Sequence, residues 1–152
     1  MTSRAWAYNR LVTDSALLLI IGTSVTDDQG TTDPLDDTVT VVPRVFASTR
    51  VITAPKLKPF ILYRQTSEVE GFRGDDGAHT LTTGFMIFAH DEPGDYLQID
   101  TMIGHIRRLF ADIVDQAEGI VRSRYIETSD DLRDDDMGTI MKYARIQVIS
   151  RI

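Results

Sequence analysis

The sequence predicts an α+β domain in which a mostly antiparallel or mixed sheet of about four to five strands carries two helices packed on it. Three observations lead there. Apolar residues recur at steps of three and four from Asp95 to Ala117, strand-like runs lie on both sides of that stretch, and a second helical pattern opens the chain. At 152 residues the chain fits one domain, large enough to bury about two thirds of its unfolded surface. Residues 1–152 therefore read as a single unit, with protruding loops near 23–38, 68–77 and 128–138.

Residues Ser3 to Ile21 read as a helix with Ala7 or Tyr8, Leu11, Val12, Ser15, Leu18 and Leu19 on one face, stopped by Gly22. Thr13, Asp14 and Ser15 interrupt the pattern and could cap a second short helix, so one helix or two are both open. Trp6 reads as core or interface packing. Gly22 to Thr38 is rich in Thr, Asp and Gly, carries almost no apolar payload and reads as a loop. Val39, Val41 and Val42 begin a short strand that Pro43 disturbs; Val45, Phe46, Val51 and Ile52 form a second patch before Pro55 and Pro59. Proline in such runs points to edges or an arm.

Phe60 to Tyr63 is a continuous apolar run, as in a strand covered on both faces. Glu68 to Gly77, with three glycines around Phe72 and Arg73, reads as a long loop between two strands. His79 to His90 resumes as the second strand of an antiparallel hairpin, with Leu81, Thr83, Phe85, Ile87 and Ala89 as its core face.

The stretch from Asp95 to Ala117 then reads as a helix of about 22 residues, or about 33 Å. Asp95 is placed to cap its first turn, Gln98 to complete a capping box, and Gly119 to take the left-handed turn that ends it. Ile120 to Glu127 alternates weakly, as an edge strand does. The acidic segment around Asp130 to Gly138 follows as a loop. Ile140 to Ile152 closes the chain, with Ile140, Ala144, Ile146, Val148 and Ile152 on one face and Lys142 excluded at its head.

A hydrophobic content of 42% with 26% charged residues excludes a wholly disordered chain. The net charge of −7 argues against a domain whose main task is to neutralise phosphates. With no cysteine, disulfides, thiolate metal sites and cysteine nucleophiles drop out together. No signal-peptide core opens the sequence, and Ala16 to Ile21 falls far short of the ~20 residues that cross a bilayer. The expectation is a soluble, intracellular protein without membrane contact.

The charges are segregated. Five acidic and no basic residues lie between Asp27 and Asp37; five basic and no acidic residues (Arg44, Arg50, Lys56, Lys58, Arg64) lie between Thr38 and Ser67. Between Glu127 and Asp136 six acidic residues face only Arg133. Solvated loops account for this, and so do complementary surfaces on neighbouring copies.

The sequence holds none of the common nucleotide-binding, hydrolase or zinc-protease motifs. An EF-hand loop opening at Asp134 needs Glu at position 145, where Arg145 stands; one opening at Asp130 meets Met141. His79, His90 and His105 lack ligand spacing. His105 reads as a packed or hydrogen-bonded histidine, and His90 with Asp91 could pair a base with an orienting group, yet no nucleophile stands beside them. The chain reads as a non-enzyme, with no catalytic residue, cofactor or metal site.

Three stretches carry a resemblance: the opening RAWAYNRL, the block VVPRVFASTR leading through Pro55 to KPFILYRQ, and TTGFMIFAHD followed by GDYLQIDTMIGHIRRLF. Together, and in this order, they resemble the tail terminator proteins of long-tailed bacteriophages. The resemblance covers most of the chain and rests on order, since no one motif is specific. It implies a mixed sheet with helices on one side and a structural role. Such proteins form a hexameric ring on the last ring of the tail tube, stop tube growth and offer the face that docks to the head-side connector or neck protein. Assembly in the host cytoplasm and a final place in the virion, at the head–tail junction, follow from it. The acidic 27–37 segment matches no family element.

On that reading the segment Arg44 to Arg64 would meet Asp130, Asp131, Asp134, Asp135 and Asp136 of the next copy, one heterologous contact repeated around a closed axis. Phe72 and Arg73, on the glycine-rich loop, would face the tail tube protein. Acidic residues in the lumen would let DNA pass without adhering. Two other readings stay open: a neck or head-completion protein with different partners, or a small domain that binds a ligand or regulator between helix and sheet.

Overall fold

The computed structural model describes residues 1–48, 57–71 and 79–152. Two short helices open the chain, α1 (Ser3–Thr13) and α2 (Ser15–Ile21). The interruption at Asp14 is a true break. Asp14 has extended backbone, and its Oδ2 accepts from the Leu17 amide at 3.0 Å as the cap of α2. That break resets the helical phase. Leu17 and Ile21 are the buried residues of α2, and Leu19, expected on the inner face, is 89% exposed.

The segment expected as a loop after Gly22 begins with a strand instead, which forms a hairpin with the short strand expected at Val39 to Val42. Strands β1 (Gly22–Asp27) and β2 (Thr38–Pro43) pair antiparallel from Gly22 with Pro43 to Asp27 with Thr38, and a 3-10 turn at Pro34–Asp36 lies in the connection. Eight of their twelve residues are β-branched, which favours extended backbone even where nothing is buried.

The main sheet has the order β3 (Val45–Ala47), β4 (Phe60–Glu70), β5 (Thr80–Asp91), β8 (Thr139–Arg151), β6 (Ile120–Thr128), with β7 (Leu132–Asp134) also paired to β8. Only β3 and β4 run parallel among these pairs, so the sheet is mixed. The described residues therefore hold more strands and one more helix than expected, within the same α+β class. The β4–β5 hairpin is longer than predicted. Pairing continues to Glu70 opposite Leu81, so Glu68 to Glu70 belong to the strand and not to the loop.

The third helix, α3 (Leu97–Phe110), is shorter than the apolar pattern suggested, at 14 residues. The part of the expected stripe that lies within it is buried, at Ile99, Met102, Ile103, Ile106, Leu109 and Phe110, whereas Val114, in its expected continuation, is 56% exposed. Asp95 Oδ1 accepts from the Leu97 amide at 3.0 Å at its start. The helix ends because the residues after it have better partners outside it. Ser123 Oγ donates to the Phe110 carbonyl at 2.7 Å, Asp112 takes φ of 55° and meets Arg122, and Asp115 accepts from the Trp6 indole at 2.9 Å. Gly119 is left-handed, with φ of 73°, but it closes the turn between Asp115 and Ile120 and not the helix.

The helices cover one face of the sheet. Ile61, Phe85, Ile87, Ala89, Ile120, Ile140, Ala144, Ile146 and Val148 form one core with Trp6, Leu11, Leu17 and the α3 stripe. Trp6 meets Phe110 edge-on at 5.9 Å. Ile152, expected on that face, is 71% exposed past the end of β8. Among the described residues no helix is long and apolar enough to cross a membrane.

Candidate assembly interface

Alternation along each strand sends the other set of side chains to the face opposite the helices. The strand register arranges them in rows. Leu62, Phe88 and Tyr143 lie abreast, then Arg64, Met86, Arg145 and Glu127, then Gly84, Gln147 and Arg124. One end of this face is closed: Phe60, Leu62, His90 and Thr139 are buried, with His90 stacked on Phe60 at 4.8 Å. The remainder is partly open. Phe88, Tyr143, Met86 and Gln147 are half-buried, while Arg64, Arg124 and Arg145 are exposed. The Arg64 guanidinium lies 5.8 Å from the Phe88 ring centroid, and Phe88 meets Tyr143 edge-on at 5.8 Å. The result is an aromatic and methionine patch set among arginines. Glu127, which pairs with Arg145 at 2.8 Å, is the carboxylate on these rows.

The β1–β2 arm is the second feature. Val25, Val39, Val41 and Val42 are 46–63% exposed, and all five aspartates of its tip are exposed. Its root is held firmly. Gly22 sits so close to the end of α2 that an added Cβ would lie 2.4 Å from the Leu18 carbonyl oxygen and 2.6 Å from Val41 Cγ1. Arg44 is the pin. Its Nε donates to the Pro59 carbonyl at 2.8 Å, Nη1 to Thr23 Oγ1 at 2.5 Å and Nη2 to the Ile20 carbonyl at 2.9 Å. Burial lowers its pKa, but an arginine remains charged. This residue joins helix, arm and sheet, so its donors are engaged within the chain.

Of the other basic residues expected at an interface, Lys58 is half-buried at the entry to β4 and Arg64 is exposed on the open face. Arg50 and Lys56 lie outside the described residues, as do Val51, Ile52 and Pro55 and the loop pair Phe72 and Arg73. In the acidic segment, Asp130, Asp135 and Asp136 are exposed. Asp131 is engaged by Lys142 at 2.9 Å, together with Asp100 at 2.5 Å. Hydrogen bonds donated to Asp100 and then to Asp131 raise the Lys142 pKa. Asp134 is half-buried and accepts from the Met137 amide at 3.1 Å. The expected pairing of the two stretches thus has fewer free charges than their composition suggested.

Of the arginines of the open face, Arg64 was singled out in sequence and Arg124 and Arg145 were not, because they belong to separate strands and only the register places Arg145 in the row of Arg64 and Arg124 in the next. The second strand of the arm was read from Val39, Val41 and Val42; the first had a signal in Thr23, Val25 and Thr26, obscured by the ten-residue connection, which carries no tight-turn dipeptide.

His90 is not aligned with Asp91 as a base. Its Nδ1 is 2.8 Å from Thr139 Oγ1, and burial pushes its pKa down to about 4, only partly opposed by Asp134. Among the described residues no three His, Asp or Glu side chains gather as a metal site. A cleft of about 570 Å³ lies between the start of α1 and the ends of β4, β5 and β8, lined in part by Arg4, Gln65, Glu68 and Arg151. It opens on the surface and does not enter the core between helix and sheet. No family model matches the chain, and no curated protein sequence matches it.

Proposed function

We propose that the protein is a ring-forming structural component of a long-tailed bacteriophage: a tail terminator that caps the tail tube, ends its polymerisation and presents the surface for the head-side connector. Its partners on this reading are further copies of itself in a hexamer, the tail tube protein below and the connector or neck protein above, with DNA only passing through the lumen. The observation that carries the reading is that one subunit has both an exposed β1–β2 arm and a half-open sheet face on the side opposite its helices. Two such features on one subunit suit a head-to-tail contact, which closes into a ring when repeated about an axis. The order of the three stretches that resemble the family supports the choice of a tail terminator over other ring proteins. The chemistry is compatible with a scaffold, since the one deeply buried histidine is turned inward onto Thr139.

The test is tube length. Purified protein added to polymerising tail-tube subunits of the same phage should give shorter tubes, each bearing a cap at one end by electron microscopy. Tubes of unchanged length with bare ends would reject the function.

A further inference from the structure

Among the described residues the arm is a two-stranded sheet that joins no other strand, and such a hairpin is marginal in water by itself. It nevertheless presents exposed valines on both of its faces: Val39 and Val41 on one, Val25 and Val42 on the other. An element of that kind is completed by a partner. Its tip supplies five carboxylates and no cation. The open face of the main sheet has the opposite character, with Arg64, Arg124 and Arg145 around Met86, Phe88 and Tyr143. Sizes agree as well. Six-residue strands are about 20 Å long, and the four strands β4, β5, β8 and β6 span about 15 Å.

We propose that the β1–β2 arm of one copy lies across the helix-free sheet face of the next, valines against the aromatic and methionine patch and the aspartate tip against Arg64 and Arg124. The occupant of the face is thus a second copy of this chain. This rests on the ring-forming reading and names its contact. Each copy gives an arm and receives one, so the interface is heterologous and propagates in one direction. Apolar burial supplies affinity, and the charges set register and the rate of encounter. Association should therefore weaken as ionic strength rises.

A charge exchange tests the contact. One variant carries Asp36→Lys and Asp37→Lys in the arm; the other carries Arg64→Glu and Arg124→Glu on the face. Each by itself places like charges in contact at every interface and should remain monomeric by light scattering. Mixed in equal amounts they should assemble again, because lysine arms then meet glutamate faces and aspartate arms meet arginine faces, alternating around an even-numbered ring. Recovery on mixing also shows that both variants are folded. Val39→Asp, which adds a charge to the buried side of the contact, should prevent assembly and should not be recovered by either partner. Assembly that persists in both charge variants, or variants that dissociate and do not recover together, would overturn the arm contact while leaving the ring itself standing. An unmodified chain that stays monomeric at all concentrations would also overturn it and assign the arm to a different protein; the tube-length assay then decides the function separately.

Discussion

Protonation of His90 should govern how the fold responds to mild acid. The ring is 1% exposed, stacked on Phe60 with planes 10° apart, and 2.8 Å from Thr139 Oγ1. Burial holds its pKa down to about 4, against about 6.5 in an unfolded chain. A base whose folded pKa is lowered favours the native state while neutral. Its contribution is complete above the unfolded value and is lost as pH falls from about 6.5 towards 4, because the unfolded chain takes up the proton first. Integrating that uptake gives a loss of about 2 kcal/mol between pH 7 and 5 and about 3 kcal/mol by pH 4, a large fraction of a domain's usual stability. The perturbation is His90→Phe, which keeps the stacking surface and removes the titration. Urea unfolding of both proteins at pH 7, 5 and 4 isolates the histidine, since every other group titrates in both. The difference between them should narrow by about 3 kcal/mol from pH 7 to 4. Curves that stay parallel across that range would refute the assignment of a neutral, buried ring.

Asp14→Ala should cost about 1–2 kcal/mol at neutral pH, because it removes the cap of α2 and the pair of 2.8 Å bonds from Arg108. Burial pushes the Asp14 carboxyl up, but hydrogen bonds from Arg108 and Leu17 outweigh it and hold its pKa below the usual value. That contribution is present above about pH 4 and lost as pH falls through the lowered folded value, so urea midpoints of the two proteins should converge only in strong acid. Arg44→Met should cost about 2–3 kcal/mol, since the Ile20 and Pro59 carbonyls lose their donor, and limited proteolysis should then cut the arm root sooner. Gly22→Val should destabilise by about 1–3 kcal/mol, read as a fall in Tm, because a Cβ there meets the Leu18 carbonyl oxygen at 2.4 Å. Each is checked by thermal or urea unfolding against the unmodified chain.

Burial patterns were the legible part of the sequence. The alternation of Thr83, Phe85, Ile87 and Ala89 marked the inner face of β5, and the spacing of Ile99, Met102, Ile103 and Ile106 marked that of α3, because each is a local consequence of one element meeting the core. The end of α3 was not legible. Ile113, Val114 and Ala117 continue the helical period, but Asp112 and Asp115 bond to Arg122 and Trp6, residues remote in sequence or on another element. The phase of α2 was likewise hidden, because the cap at Asp14 decides it and both a continuous and a broken helix satisfy the pattern. The first strand of the arm read as a loop since its one valine, Val25, is not buried within the chain, and burial is what hydrophobic periodicity reports, whereas Val39, Val41 and Val42 did mark the second. The open face shows the same limit from the other side. Arg64, Arg124 and Arg145 come to one face only through strand register, while Arg44, chosen for its charge, joins three elements inside one copy.

On the proposed function this chain closes into a ring of its own copies. The most direct test of that closure is the mass of the purified protein by light scattering over a wide concentration range, with the largest species imaged by negative stain. One discrete hexameric mass and annular particles with a central hole are expected, with association weakening as salt is raised. A monomer at every concentration, or open filaments of indefinite length, would contradict ring closure.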